Sequence, residues 1–200
     1  MEITFHREPI EYFVIDNFLT EEHEEAFLHE CEMQMINAND QDRSAADDDG
    51  NILRKGSAKF LDRLYPFNRQ DSCILSNLRG YLFTQNILKY IEETDTIFQM
   101  WQLINCDYTM ISYYQDSDYY KPHKDNAVFT SLLWLNREPK GFDGGNLTFT
   151  AHKHKIDYKH NRCVIFPSVV THEVSEIKMK PNNTNGRFCI TNFSMVDFLK

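Results

Sequence analysis

The stretch YYQDSDYYKPHKDN, residues 113–126, sets a histidine and an aspartate two positions apart, His123 and Asp125. On a β-strand, side chains at i and i+2 point to one face, so both could reach a single ion. A third ligand has to come from another strand. The best candidate is His172, near the end of the strongly apolar run VIFPSVVTH. A histidine ending an apolar strand is how a dry site presents one ligand. Two histidines and one carboxylate make a facial triad that suits Fe(II) and leaves positions open for other ligands. A structural zinc site would fill all four positions, usually with sulfur, and no cysteine stands beside any of these three residues in sequence. His152, His154 and His160 in AHKHKIDYKH form a rival set. They stand among lysines in what reads as a polar hairpin, where solvated surface is the expected role.

A second group points the same way. Arg187 opens GRFCITNFS, where apolar residues then alternate. A buried arginine at a strand start asks for an anion. Its planar fork binds a carboxylate through two parallel hydrogen bonds, which a lysine does not reproduce. The competing role is a salt bridge with one of the 30 acidic residues.

The elements that must position these groups are legible in outline. EYFVIDNFL (11–19) reads as a strand, and LTEEHEEAFLHECEMQM (19–35) as a helix. Thr20 caps that helix, Glu21, Glu22, Glu24 and Glu25 suit its positive end, and Ala26, Phe27, Leu28 and Cys31 give it an apolar side. NANDQDRSAADDDGN (37–51) is acidic and without apolar periodicity, so it is predicted to be a mobile loop, either a lid or simply disordered. SNLRGYLFTQNILKYIEETD (76–95) predicts one helix or two, with Leu78, Leu82, Ile87, Leu88 and Ile91 on the helical period. From about residue 98 the chain becomes short aromatic and β-branched runs: FQMWQLINCDYTMISYY, AVFTSLLWLN, GGNLTFTA, RCVIFPSVVTHEVSEI and RFCITNFSMVDF. Gly, Pro and Asn punctuate them, which predicts a β-sandwich or jelly roll with the N-terminal helices against one face.

The 200 residues suffice for one domain with a real core. A net charge of -9 argues against bulk binding of nucleic acid or an anionic membrane. No apolar run approaches the roughly 18 residues of a membrane span, and MEITFHREPIEYFVID has no apolar signal segment. The five cysteines are odd in number and show no CxxC spacing, so free thiols in a reducing cytoplasm are expected.

Taken in order, Tyr114, the run from Tyr120 through His123 to Asp125, GGNLTF, VIFPSVVTHEV and GRFCITNF resemble the iron(II)/2-oxoglutarate-dependent dioxygenases, in particular the prolyl 4-hydroxylase-like branch. The likeness spans roughly residues 98–198. EYFVIDNFLTEEHEEAF is similar to that branch's opening strand and helix, and RKGSAKFLDRLY (54–65) to the segment that often follows the loop. The resemblance implies a single α+β, mainly β domain over 1–200. Its core would be a double-stranded β-helix, or jelly roll, over about 98–200, with supporting N-terminal helices over about 1–97. It implies His123, Asp125 and His172 as Fe(II) ligands, and Arg187 as the partner of the distal carboxylate of 2-oxoglutarate. A tyrosine hydroxyl on that cosubstrate would come from Tyr114 or its neighbour Tyr113. Tyr120 resembles a pocket-wall tyrosine near the iron. Thr191, on Arg187's side of its strand, and Trp134 are expected around the cosubstrate pocket. For Gly144 and Gly145 a turn with positive φ is a sufficient role. Phe166 and Pro167 are expected to pack and turn the chain ahead of His172. Fourteen residues, 173–186, separate His172 from Arg187, more than this branch usually shows. The excess is expected to be a hairpin loop that leaves both registers intact.

The implied reaction takes O2 and 2-oxoglutarate, releases succinate and CO2, and hydroxylates a C–H bond. Its implied substrate is a prolyl residue of a protein or peptide, with ascorbate as a further ligand. The alternatives are the same chemistry on a free amino acid or another side chain, a non-catalytic jelly-roll binding module, and a cupin-like isomerase. The full ligand set with its arginine argues against the last two.

Overall fold

The helices at the start of the chain form where capping and apolar spacing coincide. In the computed structural model, which describes residues 1–35, 44–46, 49–92 and 96–197, α1 (Glu21–Met35) follows a hairpin of β1 (Glu2–His6) and β2 (Tyr12–Asp16). The Thr20 hydroxyl accepts from the His23 N–H at 3.4 Å, and Phe27, Leu28 and Cys31 are buried. The acidic segment holds a short strand, β3 (Ser44–Ala46), where a loop was expected. It pairs with β4 (Ile52–Lys55), which supplies partners for its backbone groups. The rest of that expectation, at 37–43 and 47–48, lies outside the described residues. β5 (Ser57–Phe60) leads into the short α2 (Leu61–Leu64). The segment from residue 76 forms two helices, α3 (Cys73–Leu82) and α4 (Gln85–Glu92). The Ser72 hydroxyl caps α3 by accepting from the Leu75 N–H at 3.0 Å.

One expected strand is a helix. Residues Ile97–Leu103 form a 3-10 helix capped by Thr96, with Phe98 and Trp101 buried. Spacing of three puts two large aromatics on one side of a three-residue turn, which suits this geometry better than the two-residue period of a strand.

The strands that follow are β6 (Cys106–Tyr114), β7 (Tyr119–His123), β8 (Phe129–Leu135), β9 (Phe142–Gly144), β10 (Leu147–Phe149), β11 (His154–Ile156), β12 (Arg162–Pro167), β13 (His172–Val174), β14 (Ile177–Met179) and β15 (Arg187–Met195). A seven-stranded antiparallel sheet runs β1-β2-β12-β8-β15-β6-β5, and a six-stranded sheet runs β11-β10-β13-β7-β4-β3. β9 and β14 pair separately. This is the mainly β, double-stranded β-helix architecture expected, with helices supporting it.

The seven-stranded sheet is covered on both faces, so every residue of β8 is buried. Its odd positions, Phe129, Leu133 and Leu135, join α1, α3 and α4 in one core, which also holds Phe27, Leu78 and Ile87. Its even positions, Leu132 and Trp134, face the six-stranded sheet and pack with Leu147, Phe149 and Phe166. Each such large apolar side chain contributes about 1.5–3 kcal/mol on burial. Two cores on either side of one sheet hold its register firmly, since a one-residue slip would exchange the two sets.

Candidate metal centre

Cross-strand register brings the histidines together. β13 pairs antiparallel with β7 so that His172 lies opposite His123, while Val174 lies opposite Tyr120. One extra residue therefore sits on β7, a bulge that holds Pro122, which cannot donate to a ladder. The bulge turns two residues three apart to the same side, and the Tyr120 and His123 rings stack with centroids 3.5 Å apart. Asp125 is not on the strand, as the i, i+2 argument expected; β7 ends at His123. Its position comes from two tethers. Its N–H donates to the Ser168 carbonyl at 3.1 Å, and its Oδ2 accepts from the Thr130 hydroxyl at 2.6 Å. Thr130 Oγ1 also meets Ser168 Oγ at 2.8 Å, and both residues are fully buried. His172 likewise does not end the apolar strand. β12 stops at Pro167, a turn follows, and His172 opens β13 in the other sheet.

The ligand atoms of His123, Asp125 and His172 lie within 4.8 Å of one another. His123 Nε2 is 3.7 Å from Asp125 Oδ1, and His172 Nε2 is 3.5 Å from Asp125 Oδ2. The Nδ1 of His123 is 2.8 Å from the Lys121 carbonyl, and that of His172 is 2.9 Å from the Val170 carbonyl. A carbonyl only accepts, so each Nδ1 carries the proton and each Nε2 presents its lone pair to the cluster. Burial, with His172 close by, pushes the His123 pKa down to about 4, so its ring is neutral at physiological pH. This is the donor set that a hard-to-borderline divalent ion such as Fe(II) takes.

Arg187 stands behind the cluster. It is the first residue of β15, with 0% exposure, and Nε, Nη1 and Nη2 all lack a hydrogen-bond partner among the described residues. Aromatic faces surround it: Tyr114 at 5.2 Å, Trp134 at 5.5 Å and Tyr158 at 5.6 Å from the guanidinium carbon. A buried, unpaired guanidinium is costly, and cation–π contacts offset only part of that. Three orphaned donors in a planar fork fit a carboxylate. The triad and this arginine together therefore fit an Fe(II) ion with a dicarboxylate cosubstrate. Gly145 does more than turn the chain. At φ +70 it lets the backbone press against Arg187, where a Cβ would come within 2.7 Å of Cδ.

A cavity at the metal cluster is lined by Tyr114, Tyr120, Leu132, Cys189, Thr191 and Phe193, besides the three ligand residues. Cys189 and Thr191 lie on Arg187's side of β15, so the long 173–186 connection leaves the register intact. Between the two tyrosines, the structure puts Tyr114 on the cavity side. Tyr113 packs on Phe188 in the other core, and its hydroxyl donates to the Thr184 carbonyl at 3.0 Å. Trp134 sits at Arg187, and Phe166 packs its ring edge-on against His172 at 4.8 Å. The rival histidines do not gather. His154 meets the Tyr12 hydroxyl at 2.7 Å, and His160 is half-buried between Glu24 and the Asn136 N–H rather than solvated.

Sequence reasoning missed four residues. Thr130 and Ser168 were among the few polar residues in apolar runs, Ser131 being another, which was a partial signal. Tyr158 and Arg54 gave none. Arg54, buried on β4, lies over the Tyr120 ring at 5.7 Å and donates to Met110 Sδ at 3.4 Å, while its Nε has no partner among the described residues.

Comparisons with known proteins agree with this geometry. Residues 109–195 match the family model described as the 2OG-Fe(II) oxygenase superfamily. No curated protein matches the chain by sequence. Among solved structures, a prolyl-4-hydroxylase from Pseudomonas putida is 16% identical, with a TM-score of 0.60 over 93% of this chain and 92% of that one. A Trichoplax adhaerens prolyl hydroxylase, in complex with a hypoxia inducible factor oxygen degradation domain peptide fragment, is 16% identical, with a TM-score of 0.64 over 92% and 83%. A viral collagen prolyl hydroxylase from Paramecium Bursaria Chlorella virus-1 is 14% identical, with a TM-score of 0.53 over 92% and 96%. Residues 109–195, which hold the ligand cluster and the buried arginine, thus match the model of the 2OG-Fe(II) oxygenase superfamily, on a fold shared with prolyl hydroxylases.

Proposed function

We propose that the chain is a 2-oxoglutarate-dependent dioxygenase that hydroxylates a prolyl residue of a protein or peptide. The observation that carries the reaction class is the fully buried Arg187, its three nitrogens unpartnered among the described residues, beside a His-Asp-His cluster. When bound, Fe(II) and 2-oxoglutarate turn one O2 into succinate, CO2 and one hydroxyl on the substrate carbon. The chain's own residues prepare that chemistry. His123 and His172 offer Nε2 lone pairs because backbone carbonyls hold their Nδ1 protons. Thr130 and the Ser168 carbonyl fix Asp125, so its carboxylate stays aimed at the cluster. Arg187 takes the distal carboxylate of the cosubstrate, with Tyr114, Trp134 and Thr191 around it. Tyr120 stacks on His123 and keeps water from that side of the ligand. The prolyl assignment is supported by the fold's likeness to prolyl hydroxylases over more than nine-tenths of the chain. The five cysteines are free thiols, which supports a reducing cytoplasm, where ferrous iron persists.

The test starts without oxygen. Fe(II) and 2-oxoglutarate together should give the weak visible charge-transfer band of a chelate. Admitting O2 should then give succinate, and mass spectrometry of a proline-containing peptide should find one added oxygen atom on proline. No band with both ligands present would end the reaction class. Oxygen found on another side chain would keep the class and end the prolyl reading.

A further inference from the structure

The face of β15 that carries Arg187, Cys189 and Thr191 continues past the metal cluster to Phe193 and Met195. There a groove of about 520 Å³ opens to solvent. Asp125 and Phe193 line both this groove and the metal cavity, so the two spaces meet at the carboxylate of the cluster. Phe193 lies six residues along the strand from Arg187, about 20 Å at the rise of an antiparallel strand. The groove therefore reaches the cluster from the end opposite the buried arginine.

Its walls are aromatic and its rim is cationic. Phe60 and Phe193 pack with ring centroids 6.1 Å apart, and Tyr108, 48% exposed, stands across from Phe193 on β6. The acids nearby are already engaged. Asp62 pairs with Arg69 and accepts the Thr109 N–H at 2.7 Å. Asp107 is held by Arg69 at 2.9 Å, Arg79 at 3.1 Å and the Asn192 amide at 2.9 Å. Arg63 and Lys124 line the groove, are exposed, and form no ion pair among the described residues. Arg63 only lies over the Phe60 ring, at 4.9 Å. On a chain of net charge -9 this is a local excess of free positive charge. Salt screens the remote acidic surface beyond about 8 Å, so what a bound segment feels is the local rim.

We propose that this groove binds an acidic peptide segment. The target residue passes over Phe193 to the metal cluster, while aspartate or glutamate side chains flanking it pair with Arg63 and Lys124. The inference rests on the oxygenase reading above and deepens it by naming the charge of the substrate.

Three fluorescein-labelled peptides test it. They share a central proline and differ only in flanking residues: glutamate, glutamine or lysine. Binding is read by fluorescence anisotropy on the protein with Mn(II) and 2-oxoglutarate present. The glutamate peptide should bind at least ten-fold more tightly than the glutamine peptide, and the lysine peptide most weakly. The preference should shrink as salt rises. The double variant R63E/K124E, which changes two exposed side chains, should invert the order. Equal binding of all three peptides, or an acidic preference that survives both high salt and the double reversal, overturns the proposal. The chelate band, measured without oxygen on unlabelled protein with Fe(II) in place of Mn(II), keeps the two ideas apart. A band without charge preference sinks the groove alone, and charge preference without a band sinks the oxygenase reading alone.

Discussion

Arg187 carries the cosubstrate assignment, because its three nitrogens have no hydrogen-bond partner among the described residues. Arg187→Lys keeps the charge and loses the fork. It should raise the KM for 2-oxoglutarate roughly 50-fold or more, equivalent to about 2–3 kcal/mol for a charged bidentate contact. Succinate formation against cosubstrate concentration measures this, and an unchanged KM would remove Arg187 from the pocket. Thr130 acts through Asp125. Thr130→Val keeps the shape and deletes the 2.6 Å hydrogen bond to the carboxylate. Metal affinity should fall about 10- to 100-fold, as for other partners of metal ligands. A Co(II) titration that matches wild type would show that the hydroxyl holds nothing. His123, Asp125, His172 and Arg187 stood out in the sequence by residue type and order, although Asp125 lies beyond β7 and not at i+2 on it. Tyr158 was not, since an aromatic among polar residues looks alike whether it covers a guanidinium or a surface.

At the scale of elements, the bulge on β7 decides the site's shape. Without the extra residue, Tyr120 and His123, three apart, would face opposite sides of the strand. With it, both line the cavity. The second and third strands of the seven-stranded sheet are tied by charge. Asp16 on β2 accepts from Arg162 on β12 at 2.6 Å and from Lys159 at 2.9 Å. The Arg162 hydrogen bond, with Lys159 assisting, holds the Asp16 pKa at about 2, below the ordinary 3.8. The ionised form is thus favoured in the folded state. Its stabilisation is complete above pH 3.8 and is lost as pH falls through about 2. Asp16→Asn should cost about 1 kcal/mol near neutral pH, a figure discounted for partial solvent screening. Urea unfolding at several pH values should show the gap close between the unfolded and folded pKa. A gap independent of pH would mean that packing, not charge, joins these strands.

For the whole molecule, ligand binding and folding are linked. Fe(II) and 2-oxoglutarate bind the folded site and not the open chain. Saturation at 100 times Kd should therefore add about 2.7 kcal/mol of stability. Anaerobic thermal unfolding should show a raised Tm with both ligands, reversed by a chelator. A chelator-insensitive Tm would argue that the cluster does not hold metal in the folded protein. The two-sided burial of the seven-stranded sheet supplies the rigid frame for that site. It also explains why β8 is apolar apart from the adjacent Thr130 and Ser131.

The sequence by itself determined which side chains could do the chemistry, the strand-rich second half, and the capped helix at the start. Those are local properties: residue type, period and capping chemistry act within a few positions. Only the tertiary structure decided that Asp125 is aimed by Thr130 and Ser168, that Tyr114 rather than Tyr113 faces the cavity, and that Phe98 and Trp101 sit on a 3-10 turn. Each of these depends on register across strands or on a partner tens of residues away. A side chain's own neighbours in sequence carry no record of either.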